Sequence, residues 1–240
     1  MEWLIQLQGN IKDLTLLKDS VNTPELEIIQ EDSLFYLNYK PFGIITDHMK
    51  VLSEAKTIVP MLNAISVLVH GSNTPIQVFD RVIRVSDDGI RKEFVVATLT
   101  VRYRTLPYRC QKADGTIFKV TPESVVSAYF NLAMQNTDVK RIFERVSSNF
   151  EAPWSFFNIY EDIFENMNGE IPWVDDKEID RLKATVNSRK LLGMDARHGK
   201  GYTKQGKPFS DHDNPMTIPE AQSLIWTIII NWLEYKMKNP

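Results

Sequence analysis

The chain has 240 residues, 43% of them apolar and 25% charged, with 28 Lys and Arg against 31 Asp and Glu. That length suits one large domain or two small ones with a real core, and a net charge of −3 gives no global pull toward nucleic acid or a membrane surface. The single cysteine, Cys110, excludes an intramolecular disulfide and a cysteine-based zinc site, and it fits a reducing compartment.

The opening MEWLIQLQGN has an early acid, a short apolar stretch and no small-residue cleavage site, so it does not read as a signal peptide. Trp3, Ile5 and Leu7 alternate with polar neighbours, the pattern of a half-buried strand. Residues 26–30 and 34–38 flank Glu31-Asp32-Ser33 and predict a hairpin. The period then changes. Val51, Ala55, Ile58, Leu62, Ile65 and Val69 recur at helical spacing behind Asp47, a cap. Pro60 lies inside that run and should kink or split it, and His70-Gly71 stops it. Runs 76–85 and 93–104 are rich in β-formers, with Ser86-Asp87-Asp88-Gly89 between them as a turn. Residues 1–105 therefore read as a small α+β domain: a sheet with one long helix. Residues 106–120 read as a linker.

From 121 to 240 the periodicity is helical, and a bundle of four to five helices is expected. Pro122 sits at a first helical position, and Pro153 opens another helix. Asp175 with Glu178, and Thr217 with Glu220, have capping-box spacing. The last helix is apolar nearly all round over 223–233, a stretch too short for a bilayer and broken by Thr227 and Asn231. Such a helix is central to a bundle or buried in a homodimer. The expected fold class is α+β, and the expected setting is cytoplasmic, bacterial-type and without a membrane partner.

Local charge is more telling than net charge. Residues 151–180 hold nine acids against Lys177, while 181–207 hold eight bases against Asp195. The basic stretch can receive an anion, or the two blocks can neutralise each other. Within it, Arg197 adjoins His198, between Gly193 and Gly199. A guanidinium offers a rigid donor fork to phosphate oxygens, and an imidazole moves protons near neutral pH. For RNA cleavage, His198 would activate the ribose 2′-OH and Arg197 would stabilise the crowded phosphorane. Asn187, Arg189, Lys200 and Lys204 would bind and orient the substrate. The same pair can instead cap a helix end and join an ion pair. Asp211-His212-Asp213 could face a divalent metal, but alternating residues diverge, and a turn into the last helix explains them as well. No metal ligand set is assigned. No glycine-rich phosphate motif, G-x-S-x-G or H-E-x-x-H occurs in the sequence, and no cofactor is expected.

A C-terminal helical bundle with Arg197-His198 near a helix end resembles the HEPN superfamily over residues 121–240. That resemblance implies a mostly prokaryotic, defence- or toxin-associated context. It also implies metal-independent RNA cleavage by a dimer that brings two Arg-His motifs together, or nucleotide binding alone. In the family the Arg and the His stand a few residues apart; here they are adjacent. The Arg-His-Gly stretch, the NPMT helix start and the terminal apolar helix are also similar to those of uncharacterised bacterial proteins, a likeness that carries no activity. Two functions fit. One is a HEPN-like RNA-binding or RNA-cleaving protein whose partner is RNA or another anionic ligand. The other is a non-enzymatic interaction protein that dimerises through its C-terminal helix.

Overall fold

The computed structural model describes residues 1–21, 23–72, 74–95, 122–149, 153–192 and 215–239. The architecture is α+β, an antiparallel sheet with helices followed by a helical region. Of the described residues, those up to Ser147 form one compact unit and those from Ser148 onward form another.

Five strands make the sheet: β1 (Glu2–Gln8), β2 (Leu26–Glu31), β3 (Leu34–Tyr39), β4 (Gln77–Val85) and β5 (Arg91–Val95). Their order is β2-β3-β1-β4-β5, antiparallel throughout. β1 is central, with Ile5 opposite Leu37 of β3 on one side and Val82 of β4 on the other. Alternation puts Trp3, Ile5 and Leu7 on one face, with Phe35, Leu37, Leu26, Ile28 and Val82 beside them, all buried. Between Ile5 and Leu7 the register against β4 slips, a bulge that sharpens local twist.

The other face is not simply solvated. Leu4, Tyr36 and Ile83 are only 2%, 3% and 6% exposed, with Ile29, Leu34 and Val85 packed around them. Curl explains this. Arg91 on edge strand β5 makes a bidentate ion pair with Glu31 on the opposite edge strand, β2, at 2.5 and 2.7 Å. In a flat sheet those edges stand roughly 19 Å apart at the usual strand spacing, farther than an Arg and a Glu can reach together. The register places the two residues at diagonally opposite corners, and strong twist brings such corners together over one face. A second pair on that face, Arg81 with Glu93, meets at 2.7 and 2.8 Å. The guanidiniums hold both glutamates below the usual carboxylate range. Arg91 and Glu93 are exposed and Arg81 and Glu31 partly so, so the pairs fix geometry more than they add stability.

Helices cover the first face. The long one, α2 (His48–Ile65), is capped by Asp47, whose carboxylate accepts from the Met49 N–H at 2.9 Å. It runs through Pro60 as one helix and continues into a π turn, Ser66–His70, closed by Gly71 in the left-handed region. Proline removes the donor to the Lys56 carbonyl; Lys56 is exposed, so water can replace it. By length and composition this helix could cross a membrane, but Val51, Leu52, Ala55, Ile58 and Leu62 are buried in the unit's core. A second helix, α1 (Ile11–Ser20), packs on β2 and on the π turn that ends α2. The sequence reading had one helix here. The signals for α1 are its Asn10 cap, which accepts from the Lys12 N–H, and the buried Leu14 and Leu17. α3 (Pro122–Gln135) packs on α1 and α2, with Phe130 edge-on to Tyr39 at 6.5 Å. α4 (Thr137–Asn149) follows, and its Phe143 meets Tyr129 of α3. Both helices thus group with the sheet, up to Ser147.

In the second unit, α5 (Pro153–Asn166), α6 (Asp176–Asn187) and the terminal α8 (Ile218–Lys238) pack together, and the single turn α7 (Arg189–Leu192) follows α6. α8 buries Leu224, Ile225, Ile228, Ile229, Trp232 and Leu233, and Trp232 donates its indole N–H to Asn166 of α5 at 3.1 Å. That internal packing accounts for the apolarity of the last helix.

One side chain of α2 holds the backbone just ahead of β4. Asn63 donates to the Ile76 carbonyl at 2.8 Å and accepts from the Ile76 N–H at 2.7 Å, in a partly buried site. Asn63→Leu leaves both backbone groups without partners. It is expected to lower the unfolding free energy by about 2 kcal/mol, measurable by urea denaturation; a change within error would show that water replaces the amide.

Candidate functional site

α6 and α8 frame the segment that the sequence singles out. Asp175 starts α6 by accepting from the Lys177 N–H at 2.9 Å, and Asp176 and Glu178 add negative charge to its first turn, where the helix dipole favours it. Ile179, Leu182 and Val186 turn inward. At the far end Thr185, fully buried, places its hydroxyl 2.9 Å from the Arg181 carbonyl and 3.0 Å from the Met216 carbonyl. One hydrogen is shared between two acceptors, so the side chain ties the end of α6 to the residue that precedes α8. Thr217 then opens α8 with a full capping box. Glu220 accepts from the Thr217 N–H at 2.7 Å, and the Glu220 N–H reaches Thr217 Oγ1 at 3.4 Å. Those bonds, ahead of Arg181 at 3.6 Å, keep the Glu220 carboxyl below its usual range.

Asn187 is the last residue of α6, and its amide oxygen is buried with no hydrogen-bond partner. Arg189 opens α7. Arg197, His198, Lys200 and Lys204 lie outside the described residues, as do Asp211, His212 and Asp213. The structure therefore brings Asn187 and Arg189 to one helix junction and does not place the other four. It also trims the basic block. Arg181 is paired with Glu220, and Lys183 with Asp180 at 3.2 Å. The acids partly explain themselves locally too, as caps, first-turn charges and an ion pair.

Other constellations emerge only in three dimensions. The curled face of the sheet encloses a cleft of about 300 Å³ whose lining includes Glu31, Tyr36, Arg81, Arg91 and Glu93. Each guanidinium there already holds a carboxylate, and Asp32 adds a third acid, so the cleft offers no free cation to an anionic ligand. Sequence reading missed this set because pairing across the sheet depends on register and curl, which no local pattern encodes.

A serine and a histidine also meet. Ser20 Oγ is 3.0 Å from His70 Nε2, joining the end of α1 to the π turn after α2. The geometry is not that of an activated nucleophile. Ser20 has one hydrogen and two backbone carbonyls at hand, Leu16 at 2.6 Å and Leu17 at 3.3 Å. Those carbonyls give the hydroxyl two acceptors within its own helix, so the contact with Nε2 reads as a structural bond between α1 and the π turn. Burial pushes the His70 pKa below the ordinary histidine value, against a smaller opposing pull from Asp13. Among the described residues, no group of three His, Cys, Asp or Glu side chains could hold a metal ion.

No family model, curated protein or solved structure matches the chain.

The buried His70 sets a pH dependence. Its folded pKa is depressed, so the neutral form is favoured in the fold. The contribution is complete above the unfolded value of about 6.5 and is lost as pH falls below it toward the folded value. The thermal midpoint should fall between pH 7 and pH 5, before the carboxylates lowered by their arginine partners titrate, and His70→Gln should flatten that fall. An unchanged slope in the variant would assign the dependence elsewhere.

Proposed function

We propose that the second unit is a scaffold that holds a basic segment against an anionic partner, RNA in the first instance. The observation that carries this reading is the tie between Thr185 and Met216. It ties the end of α6, which precedes the basic segment in the chain, to Met216, which follows it, on one packed core. In the stronger form the protein cleaves RNA as HEPN-like ribonucleases do. His198 is then the general base, Arg197 the phosphorane-stabilising cation, and Asn187, Arg189, Lys200 and Lys204 the binding residues. Asn187, with an amide oxygen lacking a partner beside that junction, is suited to accept a hydrogen bond from a ligand.

The second reading is a non-enzymatic protein that pairs with its own copy through α8. Tyr235 and Met237, each 40% exposed near the helix end, are the apolar surface it would use.

The test is a single-stranded RNA assay on the full chain. Binding should weaken steeply as salt rises, because each phosphate contact releases counterions. Arg197→Ala and His198→Ala should each lower cleavage by about 100-fold or more with the thermal midpoint nearly unchanged. Salt-sensitive binding without cleavage retains the scaffold and removes the ribonuclease. A protein that neither binds nor cuts RNA at low salt overturns the proposal.

A further inference from the structure

The second unit holds a pocket of about 340 Å³ between α5, α6 and the turn that joins them. Tyr160 and Phe164 stand one helical turn apart on α5 and line it together, ring centroids 5.6 Å apart and tilted by 31°. Pro172 and Ile179 add apolar lining, and Glu170 and Asp176 add two exposed carboxylates. Asn168 and Gly169, with φ of 57° and 87°, reverse the chain beside the Phe164 ring, so the backbone and not a side chain borders the ring there.

Charge around the pocket is of one sign. None of its lining residues is basic. Burial, then Asp176, Asp180 and Glu161, holds the Tyr160 phenol above its usual range. Lys177 is exposed on the first turn of α6, and Lys183 already pairs with Asp180. A cation entering here meets aromatic rings and two carboxylates. The lining is mostly rings and aliphatic groups, with side-chain oxygens from Tyr160, Glu170 and Asp176 alone. A primary ammonium brings three donors that need partners, whereas a quaternary ammonium brings none and loses less on leaving water.

We propose that this pocket binds a quaternary ammonium group, held against the rings of Tyr160 and Phe164 and balanced by Glu170 and Asp176. Cation–π attraction supplies the preference over a neutral group of the same shape, and the carboxylates supply long-range charge. The site carries no anion-binding function, so it stands apart from the basic segment proposed above.

The experiment titrates the full chain with choline, with N-acetyl-trimethyllysine amide and with the neutral isostere 3,3-dimethylbutanol, reading the ring-proton shifts of Tyr160 and Phe164 by NMR. Choline or trimethyllysine should bind saturably, about tenfold more tightly than the isostere. Tighter binding of choline points to a free small ligand, and tighter binding of trimethyllysine points to a modified protein side chain; both uphold the pocket. Phe164→Leu, which keeps the apolar bulk and removes the ring face, should weaken binding several-fold, while Tyr160→Phe should retain it. Asp176→Asn should reduce both the affinity and its salt dependence. Equal binding of the isostere, or no saturable shift with either cation, overturns the proposal.

Discussion

β1 is paired along both edges and buried on both faces, and the first unit is arranged around that double burial. Trp3, Ile5 and Leu7 need helices over them, and α1 and α2 supply the cover. On the other face, the described residues packed with Leu4 are strand residues, Tyr36 and Ile83 foremost, and the sheet curls there so that Arg91 and Glu31 meet across opposite corners. Full burial of an aliphatic side chain contributes roughly 1.5–3 kcal/mol, well above what an exposed ion pair adds. Apolar burial therefore drives the curl, and the ion pairs set its final register.

The same reasoning separates the legible from the illegible in this sequence. Helix ends were readable because capping is local: Asp47, Asp175 and Thr217 each accept from a backbone N–H two or three positions on. The alternation of Trp3, Ile5 and Leu7 showed one buried face correctly and could not show the other, because the burial of Leu4 depends on strands far away in sequence. α1 was missed since its apolar residues do not form one clean stripe: Leu14 and Leu17 are buried while Ile11 and Leu16 are exposed. α3 and α4 were legible as helices, but a helical stripe does not state which surface it will meet. Tyr39 and Phe130 show that for α3 the surface is α1, α2 and the end of β3.

Site residues divide in a similar way. Residue types and spacing pointed to Asn187, Arg189, Arg197 and His198, and the structure places the first two at the junction that follows α6. Sequence alone had no means to find Thr185 as the tie, since a threonine inside a helix is ordinary until its hydroxyl is seen beside a carbonyl 31 positions away. Nor could it separate the pairing of Arg81 with Glu93 from a generic charged strand. Ser20 with His70 is the counterexample: proximity alone suggests chemistry, and with two carbonyl acceptors beside the hydroxyl the contact reads as a structural bond instead.

The central place of β1 also bears on synthesis. β1 leaves the ribosome well before β4, its partner over residues 77–85. At roughly 5–20 residues per second, it waits on the order of 4–15 s with one edge unpaired. β3 and β2 are made sooner, so β1 can pair along that side while the edge that β4 takes is still open. An open edge of that kind is a template for pairing with other chains. The nascent protein is then most exposed to misassembly, and to chaperones, during the interval in which α2 is being made.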